Sequence, residues 1–286
     1  MLAKSLRLPA PAKLNLMLRI VGRKTDGYHL LQTVFQFIDW CDWIELSPRP
    51  DGQIQLSNPL PGVPEEADLT VRAAKLLRQA VGNDSLGVHI SIDKNLPMGG
   101  GLGGGSSDAA TALLGLNALW GLGLPIAALA DLGLQLGADV PVFVRGLAAW
   151  GEGVGEDLTP LPDLPEPWYV VITPPCHVAT GVIFSSTELT RDNKRIKIAD
   201  FAAGQQDNHC LPVVAKLYPQ IADALKAMEA HASLPKLTGT GACVFAAFDG
   251  EAEAKNAAEK LSVEWTVFVA KGLNRSPVHN AIELAA

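Results

Sequence analysis

Eleven consecutive residues, Pro97-Met-Gly-Gly-Gly-Leu-Gly-Gly-Gly-Ser-Ser107, contain six glycines. A stretch of that length carries about one glycine at the usual frequency. Glycine reaches left-handed backbone conformations without steric cost and lets another group approach with no Cβ in the way. The stretch follows Val88, Ile90 and Ile92, which alternate as a strand, and runs into Ser106, Ser107 and Asp108, residue types suited to a helix cap and first turn. A strand, a glycine loop and a helix start in succession present unpaired N–H groups and the positive end of a helix dipole to an anion, most often phosphate.

The phosphate-loop signatures differ in what must surround the glycines. In G-x-x-x-x-G-K-[ST] counted from Gly100, the lysine position is Ser106, so that motif fails. G-x-G-x-x-G matches Gly99, Gly101 and Gly104, but no second strand ending in an acid follows about 20 residues on. The protein-kinase set lacks both His-Arg-Asp and Asp-Phe-Gly.

Composition narrows the partners. The 286 residues carry 23 Lys+Arg against 30 Asp+Glu, a formal charge of -7, which argues against non-specific nucleic-acid binding. That total hides an asymmetry: residues 1–25 hold six basic residues and no acid, and the rest of the chain carries -13. Cys41, Cys176, Cys210 and Cys243 are widely separated, with no CxxC pair, so neither a zinc site nor a redox dithiol is signalled and a reducing cytoplasm fits. Residues 109–130 lack charge, but Asn117, Gly121, Gly123 and Pro125 interrupt them, which predicts two short buried helices instead of a membrane span.

The length suits two units. Strands are expected at 12–21, 30–38, 43–46 and 88–92, and helices at 69–81, 107–120 and 125–136. Short strands are expected at 140–144 and 148–153. The proline-rich run Leu158–Pro167 reads as a linker. Beyond it come a strand at Trp168–Thr173, a helix near 212–230, a strand at 242–248, a helix at 250–261 and a strand at 265–270. The expected division is an α+β chain with units at 1–157 and 158–286, the second a smaller α/β sandwich.

Several polar groups stand where chemistry needs them. Lys13, Asn15, Met17 and Arg19 share one face of the first strand, opposite Leu14, Leu16, Leu18 and Ile20. That face either lines a cleft or is simply solvated. Tyr28-His29 sets an aromatic ring beside an imidazole, able to stack on a base and hydrogen-bond its edge, or merely to pack. Asp139 precedes Val140-Pro-Val-Phe-Val144 and is either a turn residue or the carboxylate of a phosphoryl-transfer site. Leu237-Thr-Gly-Thr-Gly-Ala-Cys-Val-Phe245 is a second glycine turn.

Together these segments resemble the GHMP small-molecule kinases, most closely the branch acting on a cytidine-diphosphate sugar alcohol in non-mevalonate isoprenoid synthesis. The resemblance rests on Pro11-Ala-Lys-Leu-Asn-Leu16, Gly22-Arg-Lys-Thr-Asp-Gly-Tyr-His29, Pro97–Ala110, Gly137-Ala-Asp-Val-Pro-Val-Phe143, Leu237–Phe245 and Gly272-Leu-Asn-Arg-Ser-Pro277, in the family's order over nearly the whole chain. It implies a two-domain GHMP fold, with a mixed α/β N-terminal ATP-binding domain. It places the catalytic pair on Lys13 and Asp139, and the ATP loop on Pro97, Met98, Gly99, Gly100, Gly101, Leu102, Gly103, Gly104, Gly105, Ser106 and Ser107. Substrate contacts fall on Asn15, Tyr28, His29 and Phe184, and the third motif on Gly239 and Gly241. ATP and Mg²⁺ are the implied cofactors, with Ser106 or Ser107 offering a hydroxyl to phosphate or to the ion. The implied reaction is phosphorylation of a sugar-alcohol hydroxyl by a cytoplasmic monomer or weak homodimer with no nucleic-acid or membrane partner. From 185 to 235 no family pattern is apparent. A dinucleotide oxidoreductase built on Gly99, Gly101 and Gly104, another GHMP-type kinase and a catalytically dead nucleotide sensor remain the rival readings.

Overall fold

The alternating first segment forms β1 (Leu6–Arg23), which pairs antiparallel along its length with β2 (His29–Arg49). The two strands expected at 30–38 and 43–46 are one: Pro11 faces Cys41 and Ala12 faces Ile38, so Asp39 and Trp40 bulge out without ending the strand. A second bulge matters more. Asn15 faces Phe35 while Met17 faces Val34, leaving Leu16 unpaired. An extra residue exchanges the faces of every side chain beyond it. Lys13 and Asn15 therefore share a face with Leu18, and Met17 turns away to pack with Val34, Trp150 and Phe201. The single polar face expected for Lys13, Asn15, Met17 and Arg19 does not exist.

The computed structural model describes residues 5–232 and 234–285; Lys4, one of the six basic residues of the leading segment, lies outside them. After β3 (Ile54–Leu56) come α1 (Leu69–Val81), β4 (Gly87–Asp93), α2 (Gly104–Leu119), α3 (Ile126–Leu134) and α4 (Val140–Arg145). Asp68 caps α1 by accepting from the amides of Thr70 and Val71, and Gly82 ends it in the left-handed conformation. α2 is apolar nearly all round because it is a central helix, buried among β1, β2, α1 and α4. No described helix is long and apolar enough to cross a membrane. α4 occupies the stretch expected as a strand. Five apolar residues in a row are compatible with either, and Pro141 in the first turn with Gly146 at φ +68° decides for a helix.

β5 (Ala149–Glu152) and β6 (Asp157–Pro160) form a hairpin, so the expected linker begins as strand and the boundary at 157/158 falls within β6. β7 (Trp168–Thr173) matches its expected bounds. Then follow α5 (Thr180–Ser185), α6 (Ile198–Ala202), α7 (Leu211–Leu217), α8 (Pro219–Glu229), β8 (Lys236–Leu237), β9 (Val244–Phe248), α9 (Glu251–Leu261), β10 (Thr266–Leu273) and α10 (Pro277–Ala285). The single helix expected near 212–230 is two, broken before Pro219, whose nitrogen has no hydrogen to donate.

One sheet runs β3-β4-β2-β10-β7-β9-β8, with β1 and β5 also on β2. β10 is the joint: Gly272 and Leu273 pair with Ile38 and Phe37, and residues 266–271 pair with β7. The architecture is a mixed α/β fold with helices packed on both parts of that sheet. The joint is fastened by buried polar groups. Gln36 donates to Pro165 O and Asn274 Oδ1, each at 2.8 Å, and accepts from the Tyr169 hydroxyl at 2.6 Å. Every member of that network has a partner, as a buried amide requires.

Candidate active site

A cavity of about 570 Å³ is lined by the glycine loop from Pro97 to Ser106, by Lys13, Asn15 and Asp139, and by Gly239 and Thr240. Two neighbours clamp the loop. The Lys13 amide donates to Leu102 O at 2.9 Å, and the Cys243 amide to Gly100 O at 3.0 Å. Gly101 and Gly103 are left-handed, and neither has room for a side chain. A Cβ on Gly101 would sit 2.3 Å from Thr238 O, and one on Gly103 would sit 2.9 Å from Phe143 Cζ and 3.1 Å from Lys13 Cε. The two glycines let the loop pack closely on the 238–241 turn, on Phe143 and on Lys13.

The helix start differs from expectation. α2 begins at Gly104 with Gly103 as its cap and no side-chain cap hydrogen bond, so Ser106 and Ser107 lie in the first turn and Asp108 just beyond it. Uncapped first-turn amides are free to meet an anion in the cavity. Of the two serines, Ser106 lines the cavity, whereas Ser107 is buried with its Oγ unpartnered.

Lys13 is 2% exposed, which removes the solvated-face alternative. Its ammonium makes three contacts: Asn15 Oδ1 at 2.5 Å, Gly101 O at 3.0 Å and Asp139 Oδ2 at 3.3 Å. Asp139 occupies the cap position of α4, with its side chain 33% exposed. A buried ammonium held by two hydrogen bonds and an ion pair is fixed in place, and a carboxylate held beside it yet open to the cavity can take a proton from a substrate. Asn15 donates to Thr33 Oγ1 at 2.8 Å, and its amide donates to Thr238 Oγ1 at 3.0 Å, joining the third-motif turn to β1. Gly239 and Gly241 in that turn have φ of +58° and +89°.

The other expected contacts separate. Tyr28 is 65% exposed, and neither it nor His29 is part of the cavity lining. His29 is buried and stacks on Phe184, with centroids 4.8 Å apart and planes 25° from parallel, so nothing fits between those two rings. Phe184 lines the cavity from α5. Burial, helped by the charges of Arg191 and Arg23, holds the His29 imidazole below its usual pKa.

Sequence reading missed a buried charge cluster beside the loop. Lys94 Nζ lies 2.5 Å from Asp42 Oδ2 and 2.6 Å from Asp108 Oδ2, and Asp42 Oδ1 accepts the amides of Asn95 and Leu96 at 2.6 and 2.7 Å. Asp42 thereby sets where the loop leaves β4. Burial pushes the Asp108 carboxyl up to about 7, against the pull of Lys94 and with the repulsion of Asp42. Burial also opposes the Lys94 charge, but Asp108 and Asp42 outweigh it and its pKa rises. The available signal was Asp108 itself, the sole charge in an otherwise uncharged helix.

The model of the GHMP kinases N terminal domain matches residues 68–147, and that of the GHMP kinases C terminal matches residues 188–265. The second match spans the region where no pattern was apparent. A 4-diphosphocytidyl-2-C-methyl-D-erythritol kinase of Methylococcus capsulatus is 56% identical over 99% of this chain and 96% of its own. This chain belongs to that family of GHMP kinases. A relative of the same name from Nitrosococcus oceani is also 56% identical, over 96% of this chain and 97% of its own. A crystal structure of 4-(cytidine 5'-diphospho)-2C-methyl-D-erythritol kinase superposes on this GHMP kinase with a TM-score of 0.82 at 32% identity, over 93% of this chain and 99% of that one. A homoserine kinase from Cytophaga hutchinsonii, 17% identical, shares the fold with a TM-score of 0.72 over 97% of each chain. This GHMP kinase is an ATP-dependent phosphotransferase, and the oxidoreductase reading of its glycine pattern is not favoured.

Proposed function

We infer that this GHMP kinase moves the γ-phosphoryl group of ATP to the C2 hydroxyl of 4-diphosphocytidyl-2-C-methyl-D-erythritol, giving the 2-phosphate of isoprenoid precursor synthesis. The observation that carries this is the Lys13–Asp139 pair, 3.3 Å apart in the same cavity as the glycine loop.

Phosphoryl transfer asks the protein for in-line positioning and charge stabilisation more than for covalent chemistry. The first-turn amides of α2 and the loop backbone cradle the phosphates. Asp139 orients the attacking hydroxyl and accepts its proton. Lys13 holds Asp139 and, lying beside the loop, stabilises negative charge on the transferring oxygens. Tyr28 and His29 hold the cytosine, with Phe184 behind His29, and Asn15 reaches the sugar alcohol.

Mg²⁺ fits this cavity as an ion carried by the nucleotide. No cluster of three acidic, His or Cys ligands exists among the described residues, and Ser106 supplies one hard oxygen at the phosphate end. Bound there, the ion would neutralise phosphate charge.

A single-turnover assay with γ-labelled ATP and the cytidine substrate tests the reading. Label should appear in the 2-phosphate; binding of both ligands without transfer would favour the nucleotide-sensor alternative. Calorimetric titration with ATP·Mg and with NAD should show binding of the first only.

A further inference from the structure

Asn208 lies between residues 185 and 235, where no family pattern was apparent, and its short segment is paired to β1. The Leu18 amide donates to Asp207 O at 3.0 Å and the His209 amide to Leu18 O at 2.8 Å, just past the bulge at Leu16. From there the side chain bridges to the third-motif turn. Its Nδ2 donates to Leu237 O and to Gly239 O, each at 2.8 Å, and its Oδ1 accepts the Cys210 amide at 2.9 Å. Two carbonyls on one side and an amide on the other admit only this orientation of the carboxamide.

The two carbonyls flank Thr238, which is fully buried. Its hydroxyl accepts the Asn15 amide at 3.0 Å and donates to Gly101 O at 3.1 Å, and Gly101 O also accepts from Lys13 Nζ at 3.0 Å. One threonine thus touches the strand and the glycine loop at the point where Lys13 meets that loop. The turn has glycine at 239 and 241, both left-handed, so it is stiffened from outside more than by its own side chains.

We propose that Asn208 is a positioning residue for phosphoryl transfer. By gripping the carbonyls on either side of Thr238 it sets that hydroxyl between Asn15 and Gly101, and so fixes the glycine loop against Lys13. Asn208 itself lies outside the cavity lining, whereas Gly239 and Thr240 of the turn it holds are part of it. The inference rests on the kinase reading above for what Lys13 does, but the grip on the turn can be measured without substrate.

Asn208→Asp separates the turn from the local cap. The new carboxylate still accepts the Cys210 amide but sets oxygen against both carbonyls. Turnover per ATP-binding site, with sites counted by calorimetry, should fall about tenfold, the worth of one hydrogen bond, with KM for the cytidine substrate near wild type. Wild-type turnover would confine Asn208 to a cap at Cys210 and overturn the proposal. If Asn208→Asp does not fold, Asn208→Ser, which keeps an acceptor and loses both donors, is read the same way. Because the effect runs through Thr238, the change at Asn208 should cost little further turnover in a Thr238→Val background, and full additivity overturns the proposal. Amide hydrogen exchange at Asn15 and Cys243 should be faster in the Asn208 variant, and unchanged exchange also overturns it. Failure of the wild type to phosphorylate the cytidine substrate, with exchange faster in the variant, sinks the kinase reading and leaves the grip on the turn standing.

Discussion

Lys13 Nζ and Asp139 Oδ2 stand 3.3 Å apart although 126 positions separate them in sequence, one on a central strand and the other at the cap of a six-residue helix. The strand buries the ammonium and the helix cap leaves the carboxylate open to the cavity. If Asp139 takes the hydroxyl proton, Asp139→Asn keeps the shape of the site and removes the base. Turnover should fall by about 10²–10⁴, with KM for ATP within a few-fold of wild type. Steady-state kinetics check this, and near-normal turnover would remove Asp139 from its role.

Gly103 and Gly121 are both left-handed, with φ of +73° and +63°, but only the first is crowded. Alanine at either position meets the cost of the left-handed backbone, about 1–2 kcal/mol. At Gly103 the new methyl also meets Phe143 and Lys13, whereas at Gly121 nothing lies within 4 Å. Gly121→Ala should lower the melting temperature and leave turnover intact, and Gly103→Ala should lose both. Similar activities for the two variants would show that the close approach of the loop to Lys13 is dispensable.

Tyr28 is exposed and should be removable without harm to the fold. Stacking on a base is worth about 1–3 kcal/mol. Tyr28→Ala should therefore raise KM for the cytidine substrate by about 5- to 150-fold, leaving KM for ATP and the melting temperature unchanged. Equal weakening of both ligands would rule out a contact with the base.

Acid should weaken the fold through its histidines. His29, His209 and His279 are all held below their usual pKa, chiefly by burial. Their contribution is whole above the unfolded value of 6.5 and is lost as pH falls through the lower folded values, because the unfolded chain takes up protons that the folded chain refuses. Asp108 works the other way. Its folded carboxyl titrates near 7 against 3.8 unfolded, so its contribution is whole below 3.8 and is lost as pH rises to 7. Melting temperatures measured from pH 7.5 to 5 should fall less steeply in His279→Gln and more steeply in Asp108→Asn. Parallel curves would place the acid sensitivity elsewhere.

Local pattern carried much of this structure. Helix α1 is legible residue for residue because Asp68 and Gly82 mark its ends, and the glycine loop announced the cavity it lines. What failed was whatever depends on neighbours. The bulge at Leu16 has no mark in its side chain, yet it decides that Leu18 and not Met17 faces the cavity. The run Val140–Val144 has strand-like composition and becomes a helix through Pro141 and Gly146. Asp42, Lys94 and Asp108 look like scattered surface charges until three elements converge.

The pairing of Gly272 and Leu273 with β2, and of α10 with β1, bears on how the molecule is made. Val278, Ala281 and Ile282 of α10 belong to the same apolar core as Leu8, Phe37 and Leu113. During translation the half built on β1 and β2 is therefore finished only when residues 272–282 have left the ribosome. Until then its sheet has an open edge opposite Phe37 and Ile38 and its core is uncovered on one side, the state most exposed to mispairing. The two halves look sequential along the gene, but the chain closes as one unit.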